Sequence, residues 1–449
     1  MSIVKRAALA LATTAALTTG VQAGGFSRGS ANLDGLYISS FGDDPIIGTA
    51  GVTYVAPGRS YDRIDGVRTG FTPTGVPNPP LAPTPVAFSQ NDVEFGESFA
   101  VPFASVGVRV SDAASCVGSY SQPYGADSEL SGEVTFFQKK QSIDTFELGA
   151  TCSYGFNFGR GTAYAIGGVF HEDLRYQQSR TFGQDAFSEA VFGVGDSRID
   201  VTSDAVGFRI GAAYEIPEIA LKAQLMYRSE TTHNVSGSFS NTPFAVIFSG
   251  RAQALADAAG AAAAAGDLAL AQQLQQQAAE QLAFANAAGA AREAGAFGTA
   301  TLPRQVELNV QSGIAAGTLV FGSIKWTDWS VVQQIDLADT ISGEAFTDFQ
   351  GFFRDGWTVT AGVGRRFTEE LAGSLALTWD RGVGTGYDTF SDTWTLAGGF
   401  AYDVNEIATV RAGGALIYFT DGEKRFGDFT ATSPDEFGGA ISSSVSFKF

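Results

Sequence analysis

Four cationic side chains sit where their charge could act on a bound molecule. Arg209, Lys222, Arg228 and Arg411 fall on the small, polar face of stretches whose other face is apolar. An anionic group such as a carboxylate would gain a charge-assisted hydrogen bond there, whereas burying it unpaired would be costly. The same faces carry Glu215, Glu230 and Glu307, and ion pairing with these acids across neighbouring strands is the competing role for each cation. Arg228 is the first choice as a substrate-binding residue, with Arg209, Lys222 and Arg411 as further candidates.

Catalysis finds less support. A serine nucleophile needs a histidine base beside it, and the chain has two histidines, His171 and His233, both near the outer ends of strands. Neither has a serine motif and an orienting acid at readable spacing, so no catalytic residue is assigned and each reads as an isolated, solvated imidazole. A lipid-modifying enzyme is therefore the weakest of the functional readings. No Cys/His cluster or phosphate loop points to a metal or cofactor, and the acidic stretch Asp421–Asp435 reads as a solvated loop. Cys116 and Cys152 fit a cross-strand disulfide if the third and fourth strands are antiparallel neighbours, and since Cys152 shares the lipid-facing parity of Leu148, Tyr154 and Phe156, two buried free thiols are the alternative.

The elements that must position these residues are strands. Charged residues make up 17% of the 449, below the roughly 25% of soluble domains, while glycine (55) is abundant and phenylalanine (36) outnumbers tyrosine (13) and tryptophan (5) together. Beyond the N-terminus no apolar run approaches the ~18 residues of a membrane helix. Residues 1–23 read as a signal peptide, with Lys5 and Arg6 ahead of an Ala/Leu stretch and small residues before the cleavage site. Removing them takes the net charge from −19 to −21, which disfavours nucleic acid as a partner.

After residue 50 the pattern has period two. In the last stretch Ile441, Val445, Phe447 and Phe449 share one face, and Ser442, Ser444, Ser446 and Lys448 share the other. A soluble sandwich also alternates, but its polar face carries long charged residues. Here that face is mostly Gly, Ala, Ser and Thr, and the apolar face carries aromatics toward strand ends, as in a transmembrane antiparallel β-barrel. Fourteen such stretches lie between 51–61 and 439–449, joined alternately by short turns and long links, which places both termini on the periplasmic side. The stretch at 115–121 is the most irregular, since Gly118, Pro123 and Gly125 would bend or interrupt it.

Two segments are not strands. Residues 24–50 are glycine-rich yet carry Phe26, Leu33, Leu36, Tyr37, Ile38 and Phe41, so they need an apolar place to sit, and the barrel lumen is the nearest. Residues 251–298 are Ala/Gln-rich and read as a helical hairpin in an outer loop, with Asp267 as an N-cap. The expected organisation is a signal peptide (1–23), an N-terminal plug or hatch (24–50) and a barrel (51–449).

Three stretches resemble the FadL family of outer-membrane channels for long-chain fatty acids and related hydrocarbons. These are LKAQLMYRSETTHNVSGSFS at 221–240, TLPRQVELNVQSGIAAGTLVFGSIKWTDWSVVQ at 301–333, and the region from Phe353-Arg354-Asp355-Gly356-Trp357 to Phe449, with GGFSRGS at the expected mature start. Asn-Pro-Ala, common in the plug of that family, is missing between Gly24 and Gly51. The resemblance implies fourteen strands in a Gram-negative outer membrane, a hatch in the lumen, outer loops that catch a hydrophobic small molecule such as a fatty acid, and a lateral exit at a kinked third strand. A general porin is the alternative, but it would not need an apolar plug segment. Expected partners are the hydrophobic ligand, outer-membrane lipid and the outer-membrane assembly machinery.

Phe449 and Phe447 close an alternating strand of the kind that assembly machinery reads in this class. Deleting Phe449 is expected to lower the amount of protein in the membrane sharply, measured by immunoblot of outer-membrane fractions, and wild-type levels would count against a barrel.

Overall fold

The computed structural model describes residues 26–73, 81–182, 195–240, 242–290, 293–340, 343, 345–426 and 429–449; the expected signal peptide lies outside them. Along the chain, a short helix α1 (Ile38–Phe41) precedes β1 (Ile46–Ala56), β2 (Ser60–Pro73), β3 (Leu81–Glu94), β4 (Phe99–Arg109), β5 (Ala114–Ser121) and β6 (Gly125–Glu129). The long strands β7 (Lys140–Phe158), β8 (Gly161–Phe182) and β9 (Gly195–Ile216) follow, then β10 (Leu221–Arg228) and β11 (Thr231–Ser240). Helices α2 (Thr242–Ala264) and α3 (Leu268–Ala290) lead into β12 (Glu293–Leu302), β13 (Gln305–Ala315), β14 (Thr318–Thr327), β15 (Gln334–Asp339) and β16 (Ala345–Gln350). The chain ends with β17 (Gly356–Arg366), β18 (Leu371–Asp380), β19 (Thr393–Asp403), β20 (Ala408–Phe419), β21 (Gly422–Phe426), β22 (Phe429–Ser433) and β23 (Glu436–Lys448).

These strands close into a fourteen-stranded antiparallel barrel. β1 pairs with both β4 and β23, which joins the first and last wall strands. Several wall strands are broken into two segments: the third is β5 with β6, the seventh β10 with β11, and the eighth β13 with β12. The breaks in the seventh and eighth strands face each other, because Arg228 pairs with Gln305 below and Thr231 with Leu302 above. Pro303 accounts for this, having no N–H to give the ladder.

Face parity follows the sequence pattern. Leu148, Tyr154, Phe156, Leu225 and Ile441 point outward and stay exposed, while Glu147, Thr151, Ser153, Ser444 and Ser446 are buried on the lumen side. With the wall strands paired in antiparallel ladders apart from these breaks, and the apolar side chains outside, the wall suits hydrocarbon. Cys116 and Cys152 are directly opposed on β5 and β7 and are joined by a disulfide on the outward face.

The first strand begins at Ile46, so five residues grouped with the expected plug, 46–50, belong to the wall. The links at 62–97 and 421–435, read as loops, instead form a four-stranded outer sheet in the order β21-β22-β2-β3. Tyr61, Ile64, Phe88, Val93 and Phe429 from that sheet bury themselves against Leu130 and Val134. The helical segment starts at Thr242, before the Ala/Gln-rich run, and residues 293–298 extend the eighth strand. Asp267 caps α3 by accepting from the Leu270 N–H at 3.0 Å. The two helices pack through Ala258, Ala259, Ala262, Ala271 and Leu274, while Leu268 and Leu282 are exposed.

Inside the barrel the N-terminal segment docks on the wall. Leu36 and Tyr37 pack on Val117, Tyr164, Ile166 and Ala213, with Leu33 and Ile38 at the margin, and Phe41 is fully buried. Ser115 Oγ donates to the Leu36 carbonyl at 2.8 Å, and Ser39 Oγ donates to Glu215 Oε1 at 2.6 Å. Gly35 is needed for this approach, since a Cβ there would lie 2.9 Å from the Gly107 Cα of β4. Each fully buried side chain contributes about 1.5–3 kcal/mol, enough to seat the segment and small beside the wall ladder. Deleting Phe26–Phe41 is therefore expected to leave a folded barrel, seen as heat-modifiable mobility, and to raise its ion conductance in planar bilayers. A folded truncation that conducts no more than the full chain would mean that inward side chains close the lumen without the plug.

Candidate functional site

Above the docked segment the lumen holds a buried charge cluster under an apolar roof. Arg228, the last residue of β10, comes off the ladder where the seventh strand breaks and turns its guanidinium inward. Its Nη2 donates to Glu172 Oε1 at 2.6 Å and to Glu147 Oε2 at 3.1 Å. Arg209, on β9, pairs with Glu147 Oε1. Both guanidiniums lie over the Phe170 ring, at 4.3 and 4.7 Å from its centroid, so one aromatic face supports two cations. Thr231 Oγ1 donates to Glu172 Oε2 at 2.6 Å, and His233 Nε2 stands 3.5 Å from the same oxygen.

Tyr124 ties this cluster to the third strand. Its hydroxyl donates to the Pro303 carbonyl at 3.0 Å and accepts from Arg228 Nη1 at 3.2 Å and from Gln305 Nε2 at 2.9 Å. The Leu302-Pro303 step thus has a structural role. By breaking the eighth strand it leaves a carbonyl free to hold Tyr124. The Trp326…Trp329-Ser330 step ends β14 and turns Trp329 fully into the interior, and Arg304 and Asp328 pair at 2.7 Å between the two breaks.

The apolar roof contains Tyr124, Trp329, Val332, Leu337, Phe353, Val383, Leu302 and Leu174. Phe26 sits at its centre, ringed by Trp329, Phe349, Phe353 and Phe390 at centroid distances of 5.3–5.7 Å. On the other side of the charge cluster a cavity of about 280 Å³ lies between the plug and the wall, lined by Asp34, Tyr37, Lys222, Gln224, Glu307 and Lys325 among others. Its lining mixes charged and polar side chains with apolar ones such as Leu33, Val101 and Phe103, whereas the compartment on the outer side of the cluster is apolar.

Of the four cations read from sequence, Arg209, Arg228 and Arg411 are buried and Lys222 is half-buried, all on the inward face, but the structure does not bring them to one point. Arg209 and Arg228 share Glu147 and Glu172, acids that the sequence reading did not single out, and neither is held by Glu215, Glu230 or Glu307. Both acids could have been found by parity, for Glu147 alternates with outward Leu148 and Glu172 is opposite it in the register. Lys222 lies at the plug, its Nζ 3.4 Å from the centroid of the Tyr37 ring, and Arg411 Nη1 donates to Ser446 Oγ at 2.5 Å. Among the described residues no ion pair engages Lys222 or Arg411. His233, expected to be solvated, is fully buried and held against Glu172, because it shares the inward parity of Thr231 and faces the charge cluster just beyond the break. His171 is half-exposed on the outward face near Asp173 and Asp204.

A protein-family model described as outer membrane protein transport protein (OMPP1/FadL/TodX) matches residues 50–418. Among solved structures, a FadL homologue of Pseudomonas aeruginosa matches with a TM-score of 0.65 at 15% identity, over 95% of this chain and 100% of that one. The toluene transporter TodX of Pseudomonas putida matches with a TM-score of 0.52 at 11% identity, over 98% of this chain and 96% of that one. The monoaromatic hydrocarbon channel CymD gives 0.50 at 10% identity, over 95% and 98%. At such identities the likeness is one of fold. No curated protein matches the chain.

Removing one partner of a buried ion pair leaves a charge without compensation. Arg228→Ala is expected to lower stability by about 3–5 kcal/mol, read from the urea midpoint of tryptophan fluorescence in detergent micelles, and an Arg228→Met/Glu172→Gln double variant is expected to recover much of that loss. Equal midpoints for wild type and Arg228→Ala would mean that the cluster is solvated.

Proposed function

The chain belongs to the outer membrane protein transport family of FadL and TodX, in the outer membrane of a Gram-negative bacterium, and from that premise we propose that it is a passive channel through which long-chain fatty acids and similar hydrophobic molecules enter the cell. The observation that carries this reading is the Phe26 cage. An apolar side chain of the plug occupies a space closed by four aromatic rings, and a hydrophobic ligand that takes its place would lose its water on all sides. The outer loops would deliver ligand to this compartment. The break in the third strand would release it sideways into the membrane, since the way inward passes the buried charges of Arg209, Arg228, Glu147 and Glu172, which offer an apolar molecule no favourable contact.

A fatty acid also needs a partner for its carboxylate. Lys222 and Arg411 suit this better than Arg228, whose donors are already engaged by Glu147, Glu172 and Tyr124. The same pairing favours a second reading. With two arginines matched by two glutamates the floor of the apolar compartment carries no net charge, which suits an uncharged ligand such as a monoaromatic hydrocarbon. A general porin fits less well, because its lumen would hold water where this one holds an aromatic cluster.

Uptake of labelled oleate and labelled toluene, each with the other as competitor, separates these readings in cells with and without the protein. Protein-dependent uptake of both, with mutual competition, is expected. Dependence for toluene alone would remove fatty acids from the substrate class, and dependence for neither would overturn the channel reading.

A further inference from the structure

Phe390 closes one side of the Phe26 cage from a link that has no strand or helix of its own. Residues 381–392 join β18 to β19, and the Phe390 ring comes within 5.3 Å of Phe26 and 5.5 Å of Phe353 between centroids. A link without a ladder opens at low free energy unless something outside it holds its backbone.

Arg59 provides that hold. Its Nη1 donates at 3.1 Å to the carbonyl of Thr389, the residue before Phe390, and its Nη2 donates at 3.2 Å to Ser433 Oγ of β22. The guanidinium also lies over the rings of Phe95 and Phe419, at 5.3 and 4.9 Å from their centroids, and is buried. Only a planar fork meets two acceptors and two rings at once, so lysine is no equivalent here.

The arginine is itself fixed to the wall. It stands between the end of β1 and the start of β2, and its carbonyl accepts from the Phe95 and Gly96 N–H groups, at 3.0 and 3.1 Å, just ahead of β4. The Ser60 N–H donates to both carboxylate oxygens of Glu436, at 2.9 Å each, where β23 begins. Ser433 Oγ, which accepts from Arg59, donates onward to the Ser60 carbonyl at 2.8 Å. The first, second and last wall strands therefore meet around one guanidinium.

The outer sheet grips the same link. The Arg425 N–H of β21 donates to the Gly386 carbonyl at 2.8 Å, and a Cβ on Gly422 would lie 3.3 Å from Thr389 Cα. On the far side of Phe390, Ser391 Oγ donates to the Thr420 carbonyl at 2.6 Å, which returns the chain to the wall.

We infer that Arg59 is a positioning residue for the ligand compartment: through the Thr389 carbonyl it ties Phe390 to the junction of β1, β4 and β23, and so sets one of the four aromatic sides of the cage. This rests on the channel reading for the cage as the place a ligand occupies. A ligand that replaces Phe26 meets the Phe390 ring only while Arg59 holds the link. The outer sheet thereby takes part in the fit of a compartment that none of its own side chains lines.

Two measurements on the purified protein in detergent test this. Hydrogen exchange at the amides of Gly384 and Ser391, followed by mass spectrometry without ligand, is expected to quicken about tenfold or more in Arg59→Met, with β18 and β19 unchanged. Equilibrium binding of labelled toluene or labelled oleate, whichever the wild type binds, is expected to weaken about fivefold in Arg59→Met and in Phe390→Ala, the order of one aromatic contact. In the Phe390→Ala background Arg59→Met is expected to have no further effect, because the residue acts through that ring. Arg59→Lys, which keeps the charge and loses the fork, is expected to give the same two effects at smaller size and serves if Arg59→Met does not fold. Unchanged exchange in the link would overturn the inference, as would a loss of affinity that persists in the Phe390→Ala background, since Arg59 would then support the barrel at large. Binding of neither ligand by the wild type would overturn the channel reading instead, and the exchange measurement, which uses no ligand, would still decide whether Arg59 holds the link.

Discussion

In hydrocarbon an unpaired backbone N–H or C=O has no water to turn to, and this governs what the chain can do with its wall. The barrel meets the condition by closing β1 on both β4 and β23. Each place where the ladder stops then needs a substitute partner. At the facing breaks in the seventh and eighth strands, the Pro303 carbonyl is taken by Tyr124 and the Asp328 N–H by the Arg304 carbonyl. At the third strand the substitute is the N-terminal segment, whose Phe26 carbonyl accepts from the Gly125 N–H and whose Arg28 N–H donates to the Pro123 carbonyl.

The interior answers a second condition, that charge taken out of water must be matched. Arg209, Arg228, Glu147 and Glu172 are all nine-tenths buried or more, and their formal charges cancel. Breaking such a set is more costly than forming it is favourable, so the cluster serves better as a fixed floor than as a store of free cations. It spans β7, β8, β9 and β10 and, through Tyr124, the third strand. The break and the apolar compartment above it therefore rest on one support, while the N-terminal segment below is held by a few apolar side chains and hydroxyl bonds.

The outer surface was less legible than the wall. The links at 62–97 and 421–435 carry apolar residues such as Ile64, Phe88 and Phe429 without a long alternating run, and their pairing joins segments more than 350 residues apart. Local pattern has no access to a partner at that distance. The Ala/Gln-rich hairpin was legible as helix because composition alone favours it. Which of its leucines would be buried depended on how α2 and α3 meet, and alanine on both surfaces let them pack without Leu268 or Leu282.

Period-two alternation fixed the wall strands and the face of nearly every side chain, because lipid outside and a polar lumen inside impose that period on each strand separately. It therefore put Arg209, Lys222, Arg228 and Arg411 inside. What it left open is everything that depends on which strand lies opposite which, and at what height. The choice of Glu147 and Glu172 as partners is of this kind, as are the burial of His233, the cage around Phe26 and the close approach of Arg28 to Gly125. Register and strand breaks set these contacts, and both are properties of the closed barrel rather than of any one stretch of sequence.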